Sequence, residues 1–80
     1  MHKIDKFLAQ LDAEMRQKVL AIVERIQSGD FYGLDMRKLK GSLDKYRVRI
    51  GKVRIKFVMN VSGIRIFSIE SRGENTYRDI

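Results

Sequence analysis

The sequence predicts an α+β fold, with an N-terminal helical hairpin packed on one face of a three- to four-stranded antiparallel sheet. Three observations lead there. Apolar residues recur at helical spacing as far as Ile26, the apolar period becomes two from Lys45 onward, and Gly-containing turn signals separate the strand-like runs. Eighty residues suit a single domain spanning 1–80, with one modest helix–sheet core and no room for a second.

Ile4, Phe7, Leu8 and Leu11 follow the i, i+3, i+4, i+7 pattern of a short amphipathic helix. Asp12 suits the N-cap of a second helix, and Glu14 in its first turn complements the helix dipole. Met15, Val19, Ile22, Val23 and Ile26 mark the apolar stripe of that helix, and Gly29 offers the left-handed residue that ends it. Residues 30–44 show no clean period and read as a connection, tacked to the core by Leu39 and Leu34 and anchored by Phe31 and Tyr32. The first strand is expected at 45–50 and the second at 53–59, with Val53, Ile55, Phe57 and Met59 on its buried face. Ser62-Gly63 signals a turn, and the third strand, 64–70, is apolar enough to suggest a central position. The tail from Glu74 to Ile80 could add a short edge strand.

Lys and Arg number 17 against 10 Asp and Glu, a net charge of +7. Such a balance favours nucleic acid, an anionic surface or an acidic protein partner. The charge is concentrated: Arg37, Lys38, Lys40, Lys45, Arg47, Arg49, Lys52, Arg54 and Lys56 face a single acid, Asp44, in the segment 37–56. With no Cys and one His, His2, neither a disulfide framework nor a thiolate nucleophile is available, and no metal site or cofactor is expected. No run has the length of a membrane span and the N-terminus lacks the apolar core of a signal peptide, so a soluble cytoplasmic protein is expected.

The densest signal is Tyr46-Arg-Val-Arg-Ile-Gly-Lys-Val-Arg54. Apolar and cationic residues alternate, and Gly51-Lys52 fits a two-residue type II′ turn with Gly first. That turn sets Ile50 opposite Val53, Arg49 opposite Arg54 and Arg47 opposite Lys56. Like charges directly across a strand pair are destabilising, so their presence on a small sheet points to a polyanion ligand. The plainer reading is a solvated sheet face.

These residues resemble the RelE/ParE superfamily of toxin–antitoxin toxins. The resemblance rests on Lys38-Leu-Lys-Gly41, the Tyr46–Arg54 hairpin, Ile69-Glu-Ser-Arg72 and Tyr77-Arg78, in that order, and covers nearly the whole chain. It implies a toxin neutralised by a cognate antitoxin and, for RelE-type members, a metal-independent endoribonuclease that cuts mRNA in the ribosomal A site. Arg47, Arg49 and Arg54 match the family's basic strand residues, Arg72 the Arg after the third strand, and Tyr77 the Tyr that stacks on an mRNA base. Lys38, Lys40, Lys45 and Lys56 would add attraction for RNA. ParE-type members share the fold but poison DNA gyrase, and a homologue that only binds its antitoxin is a third possibility. The chain departs from the family in two ways. Arg47 and Arg49 stand where RelE toxins often carry Lys, and arginine cannot accept a proton at useful pH. Family members usually begin with a β-strand, whereas here Met1 leads straight into the first helix, so a sheet lacking that strand is expected.

Overall fold

The computed structural model of the protein describes residues 3–71. Two helices, α1 (Lys3–Gln10) and α2 (Ala13–Gln27), precede four strands: β1 (Asp35–Lys38), β2 (Lys45–Ile50), β3 (Val53–Asn60) and β4 (Gly63–Ser71). The strands form one antiparallel sheet in the order β1-β2-β3-β4, with the helices on one face. No strand precedes α1 among the described residues, and no helix among them is long and apolar enough to cross a membrane.

The helical hairpin is held by its ends. Asp12 caps α2 by accepting a hydrogen bond from the Met15 amide at 2.8 Å. Arg16 reaches back to α1, donating from Nε to the Leu8 carbonyl at 3.0 Å and from Nη2 to the Leu11 carbonyl at 2.8 Å. One guanidinium therefore satisfies carbonyls left over at the end of α1 and sets the angle between the helices. At the other end of α2, Gly29 takes φ of 80°. Its amide donates to Ile26 and the Asp30 amide to Arg25, at 3.0 and 2.9 Å, the paired bonds of a Schellman motif. Arg25 and Asp30, the residues such a motif brings together, form an ion pair at 3.2 Å.

The hairpin between β2 and β3 has the expected register: Ile50 opposite Val53, Arg49 opposite Arg54, Arg47 opposite Lys56. Gly51 has φ of 57° and no described non-Gly residue has positive φ, which is the type II′ pattern. Alternation then sorts the side chains. Val48, Val53, Ile55, Phe57 and Ile69 join Val19 and Ile26 of α2 in the buried core. Phe57 lies at its centre, fully buried, with Phe31 stacked at 5.7 Å on one side and Tyr46 at 5.7 Å on another.

Three expectations change. The connection is not strand-free, because residues 35–38 pair along the open edge of β2 as β1. Leu34 does join the core margin and Phe31 anchors the segment, but Tyr32 is 88% exposed and contributes only backbone groups: its carbonyl accepts from Arg25 Nη2 and its amide donates to Asp30 Oδ1. The third predicted strand, β4, expected to be central, pairs among the described residues with β3 alone, at the edge of the sheet. Its apolar run has another cause. A bulge leaves Phe67 unpaired between the pairs Lys56–Ser68 and Phe57–Ile66. Without it, Ile64 and Ile66 would face away from Ile69; with it, all three serve the helix-covered face. The predicted strand in the tail lies outside the described residues.

Replacing Phe57 with Ala should lower stability by about 3–5 kcal/mol, because the cavity would sit where two ring stacks and both layers meet. Urea denaturation checks this. A second expectation concerns pH. The Arg25 guanidinium, aided by the Tyr32 amide, holds the Asp30 carboxyl below the usual carboxylate range. A depressed folded-state value stabilises above the unfolded value, about 3.9, and the contribution disappears as pH falls through the folded one. Wild type should therefore melt slightly above Asp30→Asn at pH 7, and the difference should vanish in strong acid.

Candidate nucleic-acid interface

The alternation that buries Val48 and Ile55 turns Arg47, Arg49, Arg54 and Lys56 to the face that no described helix covers. Cross-strand register arranges them in two rows. One row reads Asp35, Arg49, Arg54, Glu70 across β1 to β4; the next reads Arg37, Arg47, Lys56, Ser68. Lys45 follows on β2, opposite Val58.

The first row carries its own counter-charges. Asp35 Oδ2 lies 3.4 Å from Arg49 Nε, and Glu70 Oε2 lies 3.4 Å from Arg54 Nη2. The same Glu70 oxygen is 3.0 Å from Lys56 Nζ. Such partly exposed pairs stabilise by up to about 1 kcal/mol each, enough to offset cross-strand repulsion but not to neutralise the face.

The second row has no acid. Arg47 stands between Arg37 and Lys56, with Arg49 two residues along its own strand. Its Nη1 is buried and has no hydrogen-bond partner among the described residues, and Arg54 Nε is in the same state. Buried polar groups are ordinarily paired, and an unpaired one costs about 1–3 kcal/mol. Two orphaned guanidinium donors on adjacent strands of a cationic sheet fit a site made for oxyanions, because a phosphate oxygen accepts from such forks directionally.

The structure thus brings together Arg47, Arg49, Arg54, Lys45 and Lys56 of the sequence-predicted set. Lys38 is on the other face: it pairs with Tyr46 and its Nζ lies 5.9 Å over that ring. Lys40 lies in the turn after β1, where Leu39 accepts a bond from Ser42 and donates one to Lys45. Arg72 and Tyr77 lie outside the described residues.

No protein-family model matches the sequence, and no curated protein matches it either. Among solved structures, a chain of the crystal structure of the RelB–RelE antitoxin–toxin complex from Methanococcus jannaschii matches with a TM-score of 0.71 and 26% identity. The match covers 88% of this chain and 86% of that one. The fold is that of a RelE-like toxin.

Within this RelE-like fold, sequence reasoning missed Asp35, Arg37 and Glu70 on this face. Arg37 was visible only as one of many basic residues in an aperiodic connection, and it joins the site because β1 pairs with β2. Glu70 was visible as an acid near Arg72, but its contact with two cations follows from the β3–β4 register.

Arg47 lends itself to a direct test of a stability–function conflict. Arg47→Thr removes a like-charge neighbour from two cross-strand pairs and an unpartnered donor, and should raise stability by about 0.5–1 kcal/mol in urea denaturation. The same substitution should weaken binding of a single-stranded RNA oligonucleotide, read by fluorescence anisotropy.

Proposed function

We propose that the chain is the toxin of a toxin–antitoxin pair and acts as a metal-independent endoribonuclease on mRNA in the ribosomal A site. The observation that carries this reading is the acid-free row centred on Arg47, whose buried Nη1 has no partner among the described residues, on a RelE-like fold. A cognate antitoxin is the natural partner, since the solved neighbour is an antitoxin–toxin complex.

In this reading the adjacent ribose 2′-oxygen attacks the scissile phosphorus in line, and the bond to the 5′-oxygen breaks. Arg47, Arg49 and Arg54 grip the phosphate and stabilise the charge that accumulates on its oxygens, the part of the work that fixed guanidinium groups do best. Arg72 adds a further cation, and Tyr77 stacks on a base, a contact that tolerates many sequences. Lys45 and Lys56 hold flanking phosphates. The arginines stay protonated and act through orientation and charge rather than as bases. A site that relied on these arginines alone would forgo about 10²–10⁴ in rate for want of a base, which the ribosome's positioning of mRNA helps to offset.

That absence of a good proton acceptor among Arg47, Arg49 and Arg54 also favours a second reading: a non-catalytic toxin of the ParE type, binding gyrase through the same face. Primer extension on translating ribosomes separates the two. New mRNA ends within A-site codons are expected, reduced by about 10²-fold or more in Arg47→Ala and Arg72→Ala. Intact mRNA would overturn the nuclease reading. Supercoiling defects in its place would establish the gyrase one.

A further inference from the structure

Glu70 is placed where a substrate phosphate would be expected to go. Its Oε2 meets Lys56 Nζ at 3.0 Å and Arg54 Nη2 at 3.4 Å, so one carboxylate oxygen bridges cations from both rows of the face. Arg54 Nε has no partner among the described residues while its Nη2 faces Glu70, so the acid satisfies this guanidinium only in part. Asp35 holds Arg49 in a similar way at the opposite flank. Carboxylate and phosphate oxygens compete for the same forks, and charge-assisted bonds to either are comparable in geometry.

We infer that Glu70 is an internal competitor for phosphate, occupying the Arg54–Lys56 seat until a polyanion displaces it. This rests on the reading of the face as an RNA site. An isolated phosphate, offering one group, does not repay loss of the Glu70 contacts. A strand that engages Arg47 and Lys45 at the same time brings further contacts and does. Glu70 thereby sets the threshold between stray anions and RNA presented at several phosphates, which makes it a specificity-determining residue of the site.

The experiment measures binding of a 12-nucleotide single-stranded RNA to the full chain by fluorescence anisotropy across a salt series, and binding of inorganic pyrophosphate by NMR titration. Glu70→Gln and Glu70→Ala should each bind RNA about tenfold tighter across the salt series, because the Arg54–Lys56 seat no longer has to be vacated. Pyrophosphate should gain at least as much, since it lacks the other contacts. Glu24→Gln, which removes an equal charge from the exposed side of α2, is the reference and should change either affinity by less than about twofold near 0.15 M salt. Thermal melting confirms that each variant is folded. Equal gains from Glu24→Gln, or unchanged or weaker binding in both Glu70 variants, would overturn the inference. Binding decides it independently of cleavage: tighter RNA binding with intact mRNA on ribosomes would uphold Glu70's role and reject the nuclease reading alone.

Discussion

Everything in this molecule depends on the register of one hairpin. With Gly51 and Lys52 closing the turn between β2 and β3, Val48 meets Ile55 on the helix-covered face while Arg49 meets Arg54 on the other. The side-chain period of a strand is two, so a slip of one residue would exchange the two sets. It would carry guanidinium groups into a core that, among the described residues, buries no charged one, and expose the residues that close it. The penalty for burying unpaired charge is so large that the correct register is strongly specified. The hydrophobic core and the cationic face are thus one decision: the burial of Val48, Ile55 and Phe57 positions Arg47, Arg49, Arg54 and Lys56.

The cost of that decision is distributed across the sheet. Arg49 and Arg54 repel each other, and Asp35 on β1 and Glu70 on β4 answer from the flanks. The adjacent row has no such answer on β1, where Arg37 adds another cation, and only Ser68 on β4. A sheet selected for stability alone would not leave Arg47 between two cations with a buried donor that has no partner among the described residues. Local strain of this kind at a shared face is what a site for a multiply charged ligand requires, because the ligand supplies the missing acceptors. The helical hairpin contributes from a distance, through the Arg16 and Asp12 contacts that set the angle at which α2 covers Phe57 and Val48.

Much of this was legible from residue order. Both helices, the N-cap at Asp12, the stop at Gly29, the three main strands, the type II′ turn and the facing of Arg47, Arg49, Arg54 and Lys56 follow from local period and turn chemistry. What could not be read has specific causes. Asp35-Met-Arg-Lys38 holds a single apolar residue and has no strand signal of its own; it is a strand because the edge of β2 offers unpaired amides and carbonyls. Ile64-Arg-Ile-Phe-Ser-Ile69 reads as a doubly buried strand because a bulge cannot be seen in a pattern of apolar residues. Lys38 reads like its basic neighbours, yet the register of β1 sends it over Tyr46 on the other face.

The sequence by itself determined the fold class, the basic character of the hairpin and the identity of the central cations, because alternation and turn geometry act over a few residues. Only the tertiary structure decided which groups meet across strands: Arg37 beside Arg47, Glu70 between Arg54 and Lys56, Phe31 on Phe57. Those contacts depend on pairings between segments far apart in the chain and on a one-residue bulge at Phe67. No local preference encodes them; they arise when the apolar faces of helices and sheet are buried together and the polar faces must accept the neighbours that result.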